Sequence, residues 1–196
     1  MENSGKPHPL TIPSDANLPQ RDADAPVPGE TIASHYRYCF GCGIDHESGL
    51  HIQFTALEGL SVSAVFELSE NHQGAPGIAH GGLLGLALDE ALGATNALIR
   101  VPAVTAHLEI SYRMPVPIGS RVFITAEIQA QRGRKVWATA IGRLNAPEGP
   151  IAVVGGSLFM QVPIEHFTTH GRPEDLARAA QDPHVVKHVA SMDVAP

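Results

Sequence analysis

Residues 80–99 read HGGLLGLALDEALGATNALI, a run dominated by apolar and small side chains. From residue 81 onward its clearly polar side chains are Asp89, Glu90, Thr95 and Asn96. A helix that is apolar on nearly every side has no face suited to water and is normally buried. The stretch therefore predicts one long interior helix over about residues 81–99.

Segments with strand character lie on both sides of this helix. In residues 121–130 apolar side chains alternate with mixed ones, which is typical of a strand with one covered face. The turns at residues 131–134 and 145–149 have the lengths of hairpin turns and favour antiparallel pairing. The predicted strands are Leu50–Leu57, Ser61–Leu68, Val104–Tyr112, Arg121–Ala130, Val136–Leu144 and Ile151–Val162.

The order of these elements is two strands, one buried helix and four strands. A strongly twisted antiparallel sheet that wraps a single helix buries the most apolar surface in this order. We therefore predict an α+β domain with the hotdog fold, in which a twisted antiparallel sheet of about six strands wraps around one long central helix. Periodicity and order alone leave other α+β folds open.

The ends of the chain differ from its middle. Residues 1–34 are rich in proline and lack strand or helix periodicity, which predicts a flexible N-terminal tail, ordered only if it docks on the body. A partner-binding arm is the less favoured alternative. Residues 35–165 are predicted to form the hotdog domain. Residues 166–196 are predicted to be an extension, partly helical or disordered, with a short helix beginning near Pro173.

Composition narrows the class of protein. A net charge of −7 over 196 residues gives no general attraction to nucleic acid or anionic lipid. The sequence has neither a secretory signal pattern nor the run of ~20 apolar residues that a membrane span needs. Two closely spaced cysteines are not a disulfide framework. We expect a cytoplasmic protein.

Asp89 is the strongest catalytic candidate. Five small or polar residues share its helix face: Gly82, Gly85, Asp89, Gly93 and Asn96. Interior glycines destabilise a helix, so the stripe indicates close approach by a ligand or another backbone. The alternative is a surface acid or a buried acid satisfied by backbone donors. Glu90 points elsewhere and ranks second, with a salt bridge or subunit contact as its explanation.

The loop from His72 to Gly82 leads directly into the helix. Free N–H groups at a helix start form an anion or oxyanion site, and the Gly81 N–H is the predicted donor. His80 is more often structural than catalytic in such a place, since no second histidine stands at metal-ligand spacing.

Two runs carry a family resemblance: HGGLLGLALDEALG from His80 and VTAHLEISYRMPVPIG from Val104. They resemble the hotdog acyl-CoA thioesterases of the PaaI and THEM4 type over roughly Cys39–Val162. The resemblance implies that Gly81 N–H polarises the thioester carbonyl while His80 shapes the loop. It also implies that Asp89 is the general base or nucleophile and that Thr105 holds the attacking water.

The resemblance further implies a site between two subunits, in which Thr105 serves the partner's Asp89. The assembly would be a homodimer or a homotetramer built as a dimer of dimers. No metal and no cofactor are expected, since coenzyme A belongs to the acyl-CoA substrate. This chain departs from the family at Gly74, where some members place an Asn or Gln that contacts the carbonyl. Asn71, His72 or Gln73 would have to replace it.

Basic residues supply the remaining candidates for substrate binding. Arg113, Arg121 and the turn Arg132-Gly133-Arg134-Lys135 are positive spots in an acidic chain. They suit the phosphates of coenzyme A, and a solvated hairpin tip explains the turn equally well. The predicted substrate-binding residues are Asn71, His72, Gly82, Arg113, Arg132, Arg134 and Lys135.

Cys39-Phe40-Gly41-Cys42 suggests a zinc or redox site, with His35 and His46 as possible further ligands. The CFGCG run followed by Gly49-Leu50 also resembles a stretch of this thioesterase branch that leads into the first strand, and we favour a packing role.

Two other functions stay open at this stage. One is a non-catalytic hotdog module that binds acyl-CoA. The other is a hotdog hydratase or dehydratase, a class that usually pairs a catalytic histidine with an acid on the helix. The presence of Asp89 and Thr105 favours a hydrolase over the binding module. The place of His80 in the HGG loop favours a hydrolase over a hydratase or dehydratase.

Overall fold

The computed structural model describes residues 7–183 of the chain. A 3₁₀ turn over Glu70–His72 precedes the central helix, and another over Thr95–Leu98 follows it. The strands are β1 (Thr31–Ile32), β2 (Phe54–Ala56), β3 (Ser61–Glu67), β4 (Gln73–Ala75), β5 (Ile78–Ala79), β6 (Ala103–Tyr112), β7 (Arg121–Arg132), β8 (Lys135–Leu144) and β9 (Ile151–Gln161). The helices are α1 (Gly81–Ala94), α2 (Glu165–His170) and α3 (Pro173–Gln181).

Seven strands form one antiparallel sheet in the order β1-β2-β3-β7-β8-β9-β6, and β4 pairs with β5 in a small separate ribbon. The predicted α+β architecture is confirmed. The first predicted strand, Leu50–Leu57, is shorter than expected, because Leu50 and Ile52 donate their N–H groups to Phe40 and Gly41. These backbone hydrogen bonds hold residues 50–52 against the loop that contains Cys39 and Cys42 and keep them out of the sheet.

The helix α1 lies in the core formed by the sheet. Leu88 and Leu92 have no exposed surface, and the alternate residues of β7 from Val122 to Ile128 are buried in the same core. A Cβ atom at Gly155 of β9 would lie 3.1 Å from Leu88 Cδ2, so glycine allows close approach of the helix. The predicted single helix over 81–99 ends at Ala94 and tightens into the 3₁₀ turn.

The segment before β1 lies against the outer face of the sheet. Asn17 and Gln131 exchange backbone hydrogen bonds of 3.0 and 2.7 Å. The Trp137 indole N–H donates to the Pro9 carbonyl at 2.9 Å, and Leu10 packs beside the indole. The segment predicted as a tail that orders only by docking thus docks over its described part, residues 7–34.

The C-terminal extension contains two short helices. α3 begins at Pro173, where proline suits the first helical turn, as predicted. Residues 184–196 of the predicted extension lie outside the described residues, and the domain boundaries stay a prediction. Between residues 7 and 183 no helix is both long and apolar enough to cross a membrane.

We expect Leu88→Ala to lower the free energy of unfolding by about 2–5 kcal/mol, because it leaves a cavity between α1 and the sheet. Chemical denaturation monitored by circular dichroism measures the change. Leu18→Ala removes the same atoms from a side chain that is 63% exposed and should cost less than about 0.5 kcal/mol. Equal losses in the two variants would contradict the described core.

We expect Leu10→Ser to red-shift the fluorescence of Trp137 and to increase its quenching by acrylamide. Trp137 is the chain's single tryptophan, and it is only 4% exposed because the N-terminal segment covers it. Leu18→Ser is the matched control and should leave the emission unchanged. An unchanged spectrum for Leu10→Ser would mean that the segment does not cover the indole in solution.

Candidate active site

His80 caps the start of α1. Its backbone is extended, with φ −70° and ψ 125°, and its Nδ1 accepts a hydrogen bond of 2.9 Å from the Gly82 N–H. Its carbonyl oxygen accepts bonds from the N–H groups of Leu83 and Leu84. The structural role expected for His80 therefore has a geometric basis, and the Gly82 N–H is already used by the cap.

The Gly81 N–H is the remaining donor at this helix start. Among residues 7–183 it has no hydrogen-bond acceptor. Gly81 lines a groove of about 380 Å³ together with Ile78, Leu84, Tyr112, Arg113 and Met114. The structure thus places predicted Arg113 and predicted Gly81 in the lining of the same mostly apolar groove.

Tyr112 is a contact that the sequence analysis did not find. Its hydroxyl donates to the Gly81 carbonyl at 2.7 Å, and its ring lies against Gly81 and Gly85. This bond fixes the first residue of α1 to the end of β6. Tyr112 gives no signal in the sequence other than its place as the last residue of a predicted strand.

Asp89 and Thr105 form the second part of the site. The Thr105 hydroxyl donates to Asp89 Oδ1 at 3.0 Å, and the Asp89 side chain is half-buried. Burial raises the pKa of Asp89 above its usual value, and the Thr105 hydrogen bond opposes that rise. Thr105 was expected to serve the partner's Asp89, whereas here the contact lies within one chain.

The two parts lie at separate places along the same helix. Asp89 lies eight positions after Gly81, which corresponds to a rise of about 12 Å along an α-helix. One thioester carbonyl cannot contact both groups of a single chain across that distance. β6 contacts both places, because Thr105 lies near its first residue and Tyr112 is its last.

Gly74 has a packing reason in this chain. A Cβ atom there would lie 2.6 Å from His80 Cα, so an Asn or Gln side chain does not fit. The three residues expected to replace that Asn or Gln side chain either form hydrogen bonds with nearby residues or are exposed. His72 Nδ1 accepts from the Ser69 N–H at 3.0 Å, Gln73 bonds to Glu70 and Gly77, and Asn71 is exposed.

The basic turn joins β7 to β8 at the Thr105 end of β6. Lys135 pairs with Met160, which pairs with Val104 on the next strand, so Lys135 stands two strands, or about 10 Å, from β6. Arg132 forms an ion pair with Asp15 at 2.9 Å, while Arg134 and Lys135 are exposed. Arg121 lies over the Phe123 ring, away from both parts of the site.

A larger groove of about 730 Å³ lies elsewhere. It is lined in part by Val65, Phe123 and Thr125, whose side chains face away from α1. None of the predicted catalytic or substrate-binding residues lines it. Its size alone is therefore no reason to move the site away from Asp89.

Two groups of side chains among the described residues have donor atoms close enough to hold a metal ion. One is His35, Cys39 and Cys42, and the other is the largely exposed set His8, His107 and Glu109. Neither contains Asp89. Glu90, ranked second in the sequence, contacts the first group through Cys39, where Sγ lies 3.3 Å from Glu90 Oε1.

Comparisons with known proteins agree with this architecture. Residues 76–140 match the family described as the Thioesterase superfamily. Acyl-coenzyme A thioesterase THEM4 of Mus musculus is 33% identical over 97 residues, which cover 47% of this chain and 41% of that protein. The chain thus spans less than half the length of this curated relative.

Two solved structures have a similar fold. The thioesterase superfamily protein RHA08564 is 28% identical with a TM-score of 0.58, covering 64% of this chain and 61% of that one. The Escherichia coli PaaI protein is 14% identical with a TM-score of 0.53, covering 58% and 80% of the two chains. The second likeness concerns the fold alone.

We expect Thr105→Val to raise the pKa of Asp89 further, because the variant removes the hydrogen bond that stabilises the charged carboxylate. A titration of the Asp89 carboxyl carbon by NMR measures it. Thr105→Ser keeps the hydroxyl and should leave the pKa near the wild-type value. A pKa that falls or stays constant in Thr105→Val would mean that the 3.0 Å contact does not form in solution.

Proposed function

We propose that this domain, a member of the thioesterase superfamily with the hotdog fold, hydrolyses acyl-coenzyme A thioesters to a free acid and coenzyme A. The observation that carries the proposal is the half-buried Asp89 carboxylate, held by the Thr105 hydroxyl at 3.0 Å on the central helix. The curated relatives from mouse, THEM4 and THEM5, are acyl-CoA thioesterases, which supports the same chemistry here.

Asp89 would act as a general base toward water or as a nucleophile. As a base it takes a proton from water while the water oxygen bonds to the carbonyl carbon, and the C–S bond then breaks. The thiolate of coenzyme A leaves readily, so no strong general acid is required. The raised pKa of Asp89 makes it a stronger base than an exposed aspartate.

The Gly81 N–H would stabilise the negative oxygen that develops on the carbonyl. A preorganised backbone donor in an apolar groove is worth more than one in water. His80 supports this role by capping Gly82, and Tyr112 supports it by holding the Gly81 carbonyl. His80 is therefore a positioning residue in this proposal.

The separation of about 12 Å between Gly81 and Asp89 favours a site composed of two chains. β6 is an edge strand of ten residues, and edges of this length are commonly paired. Antiparallel pairing of two β6 strands about a two-fold axis would bring the Thr105 end of one to the Tyr112 end of the other. Asp89 of one chain would then face Gly81 of its partner in a homodimer, or in a homotetramer built from two such dimers.

Arg113 is the proposed contact for the phosphates of coenzyme A, because it lines the groove that contains Gly81. Arg134 and Lys135 are exposed near the Thr105 end and remain candidates, whereas Arg132 would first have to leave Asp15. Gly82, Asn71 and His72 would shape the entrance, since the Gly82 N–H and the His72 ring are already engaged.

We expect Asp89→Asn to lower turnover by at least ~100-fold, the scale of losing a general base. Release of the coenzyme A thiol from a panel of aromatic, medium-chain and long-chain acyl-CoAs measures it. Glu127→Gln alters an exposed acid of β7 in the same way and should leave turnover unchanged. Tight binding of acyl-CoA without thiol release by the wild type would favour the binding module instead.

The composite site is tested by mixing two inactive variants. Gly81→Pro removes the N–H donor at a helix position that accepts proline, after a His80 backbone that is already extended. Gly81→Ala keeps the donor and is its control for the added Cβ. If the site is shared, co-refolded Asp89→Asn and Gly81→Pro chains should recover about a quarter of wild-type activity, since half the dimers are mixed and each has one intact site. No recovery would contradict it.

A further inference from the structure

We propose that His35, Cys39, Cys42 and Glu90 bind one Zn²⁺ ion, which joins the loop before β2 to the central helix beside Asp89. Three of these residues come from one short loop, and Glu90 comes from the third turn of α1. Two thiolates, an imidazole and a carboxylate form a donor set that suits four-coordinate zinc. Of the three roles considered for the cysteine pair, zinc, redox and packing, this geometry favours zinc.

The donor atoms lie near the distances that tetrahedral zinc imposes. Zn–S bonds of about 2.3 Å and Zn–N bonds of about 2.0 Å place neighbouring ligand atoms roughly 3.5–3.8 Å apart. Cys42 Sγ lies 3.5 Å from His35 Nδ1, and Cys39 Sγ lies 3.3 Å from Glu90 Oε1. The three donor atoms of His35, Cys39 and Cys42 all lie within 4.8 Å of one another. Glu90 lies outside this group of three, so its carboxylate would have to move closer to the other donors to complete the coordination.

The backbone of the loop is shaped to allow this approach. A Cβ atom at Gly41 would overlap Glu90 Cγ and Cδ, so only glycine at that position lets Glu90 reach the thiols. The Gly43 N–H donates to the Cys39 carbonyl at 2.8 Å, which turns the chain back over the first cysteine. The loop backbone thus allows the Cys39 and Cys42 sulfurs to face the helix residue Glu90.

The charge of the cluster also calls for a cation. Glu90 is only partly exposed, and among residues 7–183 no lysine or arginine forms an ion pair with it. Its polar neighbours are the thiol groups of Cys39 and Cys42 and the imidazole of His35. A carboxylate beside thiol groups in a poorly solvated place is stabilised by a positive partner. A divalent ion bound by all of them supplies that partner.

The site would be structural, since protein ligands fill all four positions and leave none open for water or substrate. Glu90 adjoins Asp89, so the ion would fix the helix turn that carries the catalytic candidate. The sequence offered His46 as another possible ligand, but its ring packs edge to face with Phe40, with centroids 5.0 Å apart, and is outside the donor cluster.

The first test measures metal in untagged protein purified without chelators under reducing conditions. We expect about one zinc per chain by mass spectrometry of the metal. After zinc removal, Co²⁺ should give the visible bands of a tetrahedral site and a near-ultraviolet band from thiolate to cobalt. These spectra use the wild-type chain and do not depend on whether a variant folds. Absence of both zinc and the cobalt bands would overturn the proposal.

The second test assigns the ligands through competition with a chromophoric chelator. Cys39→Ser, Cys42→Ser, His35→Gln and Glu90→Gln should each weaken zinc binding at least about tenfold. His46→Gln and Asp89→Asn should keep wild-type zinc affinity. The Asp89→Asn control shows that zinc binding does not depend on the catalytic candidate. Equal zinc loss in His46→Gln and His35→Gln would contradict the assigned ligands. A Cys39–Cys42 disulfide in the reduced preparation would exclude the site.

Discussion

Burial of α1 is the constraint on which the rest of the structure depends. A helix with almost no polar face is stable only when other elements surround it, and the twisted sheet from β3 to β6 does so. Two carboxylates, Asp89 and Glu90, are taken into this poorly solvated environment with the leucines. Each has a polar partner on another element, Thr105 for Asp89 and Cys39 for Glu90. The proposed hydrolysis and the proposed zinc site both depend on how these two acids are accommodated.

The helix also separates the groups that one reaction would need. Its start carries the Gly81 N–H in an apolar groove, and its third turn carries Asp89. β6 contacts both places through Tyr112 and Thr105, and within residues 7–183 one of its edges has no neighbouring strand. The same strand therefore fixes the helix and offers the surface through which a second chain could complete the proposed site.

The residues before β2 close two places that the sheet leaves uncovered. Leu10 and Pro9 cover Trp137 on the outer face. The loop from His35 to Gly43 covers the side of α1 that carries Glu90, and its backbone holds residues 50–52 out of the sheet. A stretch rich in proline and poor in periodicity can thus be part of the folded domain, because its few apolar side chains and backbone groups find partners there.

The sequence by itself determined the central helix, the four long strands that follow it and the strongest catalytic candidate, whereas it did not predict β1 or the β4–β5 ribbon. Alternation in residues 121–130 and the apolar run from Gly81 reflect local geometry, since side chains repeat every two residues in a strand and every 3.6 in a helix. The order of the elements then left few ways to bury the helix. The Asp89 carboxylate and the first free N–H could be predicted because both are properties of that one helix.

Only the tertiary structure decided which distant residues meet. Tyr112 on Gly81, Thr105 on the Asp89 of its own chain, and Glu90 on Cys39 join elements that are 16 to 51 residues apart. The docking of Leu10 on Trp137 and the exclusion of an asparagine at Gly74 likewise depend on atoms brought together by packing. Periodicity tells which face of an element is buried, but the partner on that face is fixed by how twisted elements cross and how closely their backbones approach.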